Sequence, residues 1–138
     1  MDEQFLNEAI HSICSISEFG NLINETMFMP LNELLLPSRK SRARGLPRPQ
    51  NCFVLYRRNL LSKIKSEGNN IELKYFSKFA AMRWNSEERN IRQLFMALYE
   101  IASVLHQFRY PKYRYKPRRK QQRLPLRKQQ NVSQLIIL

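Results

Sequence analysis

The first 38 residues contain no lysine or arginine, although the whole chain has 24. Asp2, Glu3, Glu8, Glu18, Glu25 and Glu33 leave this segment at −6. Beyond residue 38 it is acid that is scarce: 24 Lys/Arg face 5 Glu, a balance of +19. An asymmetry of this size points to a polyanionic partner for the basic part and to a different role for the acidic part. Anionic membrane and ribosomal RNA are polyanions too, but clustered basic surface reads first as a nucleic-acid footprint. Cys14 and Cys52 are the two cysteines, and His11 and His106 the two histidines. That inventory cannot assemble a metal cluster in these contexts. It fits free thiols in a reducing, intracellular compartment. No window is long and apolar enough to span a bilayer, so no membrane partner is expected. The acidic N-terminus lacks a basic stretch before an apolar core, so a secretory signal peptide is not expected either. The length suits one small domain with tails rather than two domains.

Residues 1–38 combine acid with apolar side chains. Phe5, Leu6, Ala9, Ile10, Ile13 and Ile16 recur at helical spacing and predict a short amphipathic helix. Met27-Phe28-Met29 and Leu34-Leu35-Leu36 follow, interrupted by Pro30 and Pro37. The expectation is an arm that packs loosely or not at all. The alternative is an acidic-hydrophobic segment that binds a protein partner. Residues 39–47 form a basic linker in which Gly45 and Pro47 oppose a continuous helix. A second basic cluster, Lys116–Lys120, brackets the far side, and such runs read as nuclear localisation or nucleic-acid contact. The remaining tail, 120–138, is Gln-rich and ends in Leu135-Ile136-Ile137-Leu138.

Three helical patterns lie between the basic clusters and predict an all-α domain. The first runs from about Asn51 to Glu67, with Phe53, Tyr56, Leu60 and Ile64 on one face. Gly68-Asn69-Asn70 stops it. The second runs from about Glu72 to Trp84 with Phe76, Ala80 and Trp84 on one stripe. The third opens at Ser86 as N-cap, with Glu87 and Glu88 suited to a helix start. Ile91, Phe95, Leu98, Ala102 and Leu105 carry its apolar face until Pro111 ends it. A helix-turn-helix variant shares this periodicity, but the short connection from first to second helix and the outer prolines suit it less well.

Arg48-Pro49-x-Asn51, followed 33 residues later by Trp84 and then by Tyr110-Pro111-x-Tyr113-x-Tyr115, is a specific combination. Residues 48–119, about half the chain, resemble an HMG box without a gap. The likeness is to the sequence-specific boxes of the Sox, TCF/LEF and fungal mating-type proteins. Phe53, Val54, Tyr56, Arg58, Ser77-Lys78, Phe95, His106 and Pro117-Arg118-Arg119 also match. The resemblance implies an L-shaped three-helix box with flexible N- and C-terminal tails. It implies a nuclear, monomeric binder of double-stranded DNA that enters the minor groove and bends the duplex. By that resemblance Phe53 and Val54 form the apolar wedge, Asn51 reads acceptor edges at A·T pairs, and Ser77 lies near the same groove. Arg48, Arg58, Tyr115, Arg118 and Arg119 contact the backbone or a compressed groove. Tyr56, Trp84 and Phe95 form the aromatic core. Tyr110 and Tyr113 pin the extended arm at Arg48-Pro49 against the end of the third helix.

The chain also departs from the Sox pattern. Leu73-Lys74 replaces a polar pair at the start of the second helix, where architectural HMGB-type boxes place an apolar wedge. Leu73 is expected to fold back beneath Phe76, and projection toward DNA as a second wedge is the alternative. Leu61 stands where Sox boxes carry a basic residue, which weakens a phosphate contact. Tyr99 stands where they often carry Ala, which implies repacking around the third helix. No enzyme activity and no cofactor are expected: His106 has no nucleophile or paired acid in register and matches a structural His of the family.

Overall fold

The computed structural model describes residues 2–37 and 46–115. Most of the basic linker, the Lys116–Lys120 cluster with Arg118 and Arg119, and the tail 120–138 lie outside the described residues. Among the described residues there are six helices and no strand: α1 (Asp2–Ser15), α2 (Ser17–Thr26), α3 (Leu31–Leu35), α4 (Cys52–Ser66), α5 (Leu73–Ser86) and α6 (Arg89–Arg109). The last three coincide with the three patterns in the sequence, within a few residues at each end.

α4 packs on both α5 and α6. The crossing is aromatic: the Tyr56 ring meets Trp84 at 5.0 Å and Phe95 at 5.3 Å, and Trp84 meets Phe95 edge-on at 6.3 Å. Phe76 and Phe95 are fully buried, while Trp84 is half-buried at the rim. Burying one such ring contributes roughly 2–3 kcal/mol, so these few side chains dominate a domain this small. α4 ends as its glycine requires. Gly68 adopts φ +78°, and the amides of Gly68 and Asn69 donate to the carbonyls of Lys65 and Ile64. A left-handed residue just past a helix end satisfies the last free carbonyls in this way.

The junction of α5 and α6 corrects one expectation. Ser86 does not cap α6 but is the last residue of α5, its hydroxyl donating back to Met82 O and Arg83 O. Glu88 occupies the N-cap position of α6 without a side-chain hydrogen bond. Glu87 is engaged elsewhere: its carboxylate accepts from the Tyr56 hydroxyl at 2.6 Å and so ties α4 to the turn. A serine inside a helical pattern can return its hydroxyl to the carbonyl four residues back, and here that bond wins over capping.

The larger correction concerns residues 2–37, which are not a loosely packed arm. α1, α2 and α3 all pack against α6, and α3 also against α4. Leu6, Ile13, Ile23, Leu34 and Leu35 join the box residues in one buried cluster, with Leu34 and Leu35 at 0% exposure. The Phe5 ring meets Phe108 edge-on at 5.4 Å. The α1–α2 break falls at Ile16, just after Ser15 donates its hydroxyl back to His11 O. A Cβ on Gly20 would stand 3.0 Å from Cys14 O, so a small residue is needed where α2 turns back.

Polar side chains of the box stitch this cap in place. Asn59, 5% exposed, accepts from the amides of Phe28 (2.7 Å) and Met29 (3.3 Å) and donates to Thr26 O (2.8 Å). Ser62 donates to Phe28 O at 3.0 Å. Gln50 donates to Leu34 O and Leu36 O, both at 3.1 Å. Leu34 is in the last turn of α3 and Leu36 is its C-cap, where a helix has no carbonyl partners of its own.

Candidate nucleic-acid interface

α4 has 3.6 residues per turn, and two of its faces are occupied. Tyr56 and Leu60 face the aromatic core, while Arg58, Asn59 and Ser62 face the N-terminal segment. A further row runs Val54, Arg57, Leu61, Lys65 at steps of three and four, with Leu61 packed partly against the buried cluster. Val54, Arg57 and Leu61 are half-buried and Lys65 is exposed. Val54 opens this stripe on the first turn, directly beside Asn51.

Asn51 is the N-cap of α4. Its side-chain oxygen accepts from Val54 N at 2.8 Å, and the residue is exposed. An Asn at this position satisfies one of the orphan amides of the helix start. The sequence reading assigned Asn51 to base contact and did not see the cap. The two uses are compatible, since the cap engages the amide oxygen and fixes the side chain's direction.

Phe53 and Val54 differ in their surroundings. Phe53 packs partly against the buried cluster, whereas Val54 is half-buried and is not among the residues packed on that cluster. Ser77 is half-buried on α5, with Lys78 exposed beside it. Arg48 is exposed and lies over the Tyr115 ring at 5.3 Å, so two residues 67 positions apart are side by side. Arg118 and Arg119 lie outside the described residues.

Arg58 is engaged within the protein. Its guanidinium donates to Leu34 O at 3.0 Å and to the side-chain oxygen of Gln50, and burial lowers its pKa from the usual arginine value while Glu33 opposes the shift. The neighbouring Arg57 is on the Val54 stripe. Its guanidinium lies over Phe76 at 5.7 Å, and its Nε has no hydrogen-bond partner among the described residues. Arg58 is the residue of the two that the sequence offers as a phosphate contact. Both lie within one turn of Val54, three and four positions on, and what distinguishes them is the tie of Arg58 to Leu34 O and Gln50.

Leu73 is not folded beneath Phe76: it is 62% exposed at the first turn of α5, while Phe76 is fully buried. The chain before α4 is held at its other end by α6. Pro47 O and His106 Nε2 are 2.7 Å apart, and His106 is 3% exposed between the rings of Tyr110 (5.2 Å) and Tyr113 (4.9 Å). His106 is therefore the pin itself, with the two tyrosines packed around it. Tyr99 is partly exposed and lines the same recess with Pro49.

Charge agrees with geometry. Residues 46–115 carry 13 Lys/Arg against 5 Glu. Among the described residues no group of three or more His, Cys, Asp or Glu is placed to hold a metal ion. No helix among the described residues is long and apolar enough to cross a membrane. Cys14 and Cys52 are both free.

Several fungal proteins are similar to this chain. Mating-type M-specific polypeptide Mc of Schizosaccharomyces pombe is 32% identical over 73 residues, covering 53% of this chain and 40% of that protein. Mating-type protein a-1 of Neurospora crassa is 26% identical over 85 residues, 62% of this chain and 22% of that protein. Repressor of filamentous growth 1 of Candida albicans is 32% identical over 81 residues, 58% of this chain and 14% of that protein. The chain thus spans less than half the length of these curated relatives. No solved structure matches it. The model of the HMG (high mobility group) box matches residues 46–114, half of the chain, and with three helices in this arrangement the chain belongs to the HMG-box family of DNA-binding domains.

Proposed function

We propose that the chain is a nuclear transcription regulator of mating-type character. It binds the minor groove of A·T-containing duplex as a monomer, through residues 48–119, and bends it. The observation that carries this reading is the first turn of α4, where a capped, exposed Asn51 stands beside the half-buried Val54, which is not part of the core. An Asn amide suits the acceptor edges of A·T pairs. Wedge insertion and bending are properties of HMG boxes as a class. Arg48, with Tyr115 beneath it, supplies backbone contact, and Ser77, Arg118 and Arg119 add to the groove and phosphate contacts. Phe53 supports the wedge from the core side. Arg57, being on the Val54 stripe, takes the phosphate role that Arg58, committed to the N-terminal segment, cannot take without breaking that tie. The names of the fungal relatives support the mating-type character.

A second reading, an architectural box with weak sequence specificity, is favoured by the 62% exposure of Leu73, which fits a second apolar wedge. Bend angle and salt dependence test the first reading. Affinity for duplex should fall with salt at about −0.9 log units per neutralised phosphate. Val54→Ala should reduce the bend while costing less than about 1 kcal/mol of stability, against about 3–5 kcal/mol for Trp84→Ala. Equal thermal damage from both changes makes Val54 an ordinary core residue, and a flat salt response sinks DNA binding altogether.

A further inference from the structure

We propose that the N-terminal helices belong to the DNA-reading apparatus, and that Gln50 is the positioning residue through which they hold Asn51. The proposal rests on the reading of Asn51 as a base-contacting side chain.

Gln50 immediately precedes Asn51 and is 8% exposed. Its amide nitrogen donates to Leu34 O and Leu36 O, both at 3.1 Å, and its amide oxygen accepts from Arg58 Nη1. Both donors and the acceptor of the amide are thus in use, and a buried amide so engaged is costly to displace. Arg58 adds a bond of 3.0 Å to the same Leu34 carbonyl. That carbonyl is a firm anchor, because Leu34 and Leu35 are at 0% exposure.

Three residues before Gln50, Pro47 O is held by His106 Nε2 at 2.7 Å. The stretch 47–50 is therefore tied at one end to α6 and at the other to α3. Pro47 and Pro49 fix φ at two of its four positions. Asn51 emerges from this splint with its side chain turned onto Val54 N. A group that reads a base edge has to be held within about 0.5 Å, by neighbours whose own conformations are locked. The α4 cap sets the side chain, and Gln50 sets the backbone that delivers it. The acidic segment acts on DNA through this tie while touching no base itself.

The test uses the full-length chain and two probes: the duplex it enriches from a random pool, and the random pool itself. The readout is the ratio of the two affinities at fixed salt, with a melting curve for each variant. Gln50→Leu keeps the volume and removes all three bonds; the ratio should fall about tenfold, the scale of one good base contact. Gln50→Glu keeps the Arg58 contact but cannot donate to the two carbonyls. It should give the same loss, and it stands in should the leucine variant fail to fold. Gln50→Leu combined with Asn51→Ala should lose no more than Asn51→Ala alone. A folded variant that retains the full ratio overturns the proposal whatever its melting temperature, because a merely structural role moves stability alone. Additive losses in the double variant overturn it as well. If Asn51→Ala leaves the ratio intact, the base-reading assignment of Asn51 is what has failed, and the proposal falls with it.

Discussion

Residues 46–115 carry 13 Lys/Arg and 5 Glu, while residues 2–37 carry acid and no Lys/Arg, yet Leu34 and Leu35 of the acidic part are as deeply buried as Phe76 and Phe95 of the basic part. The two regions hold together by different means. The box closes on crossing aromatics, Tyr56, Trp84 and Phe95. The N-terminal helices are short, 14, 10 and 5 residues, and helices of that length are marginal in water. They persist because they bury leucine and isoleucine on α6 and because Asn59, Gln50 and Arg58 answer their unpaired backbone groups. A compact domain can thus recruit an acidic segment by leaving buried polar side chains on its own surface for that segment to meet.

Removing the segment breaks this comparison most severely. Deletion of residues 1–37 strips two fully buried leucines, removes the partners of Asn59 and leaves the Gln50 amide nitrogen without its two carbonyls. At roughly 1.5–3 kcal/mol for each buried large apolar side chain, the loss should exceed about 5 kcal/mol. Thermal melts of the truncated and full-length chains measure it. A truncated chain melting within a few degrees of the full-length one makes the N-terminal helices an ornament. The next effect is smaller and local. Asn59→Ala should cost about 2–3 kcal/mol, since two amides and a carbonyl lose a buried partner.

Tyr56→Phe is the gentlest change, because the ring stays packed and only the bond to Glu87 is lost; about 1–2 kcal/mol is expected. It also has a pH signature. Burial, and after it the hydrogen bond and negative charge of Glu87, raise the Tyr56 phenol above its usual value of 10.0 in the folded chain. The stabilisation is therefore complete below pH 10 and declines as pH rises toward the folded value, where the unfolded chain ionises first. The gap between wild type and Tyr56→Phe, measured by chemical denaturation, should be constant below pH 10 and narrow above it. A gap that widens there contradicts the buried-phenol account.

How much of this was legible in the sequence follows from the length of each signal. α4, α5 and α6 repeat their apolar residues over several turns, so Tyr56, Phe76, Ala80, Phe95 and Leu98 were identifiable from spacing alone. Asn51, Trp84 and Tyr110-Pro111 sat at separations specific enough to suggest the family. α3 has five residues between Pro30 and Pro37, too few for any period to declare itself. Gln50 and Asn59 resemble ordinary surface polar residues, and their backbone partners lie 14–33 positions away in the chain. Nothing local marks such pairs. Ser86 misled for the opposite reason: its local signal was a good N-cap, and the longer α5 overrode it. Leu73 misled because a leucine at a helix start is usually folded inward, and here the turn before α5 leaves it outside.

The central claim is that this chain reads DNA sequence from the first turn of α4. Selection of binding sites from random duplexes by the full-length chain, run beside Asn51→Ala, tests it most directly. The account predicts a narrow A·T-containing motif for the wild type and loss of that motif in the variant, with binding to unselected duplex retained. Enrichment of no motif by the wild type, or of the same motif by both proteins, would contradict it.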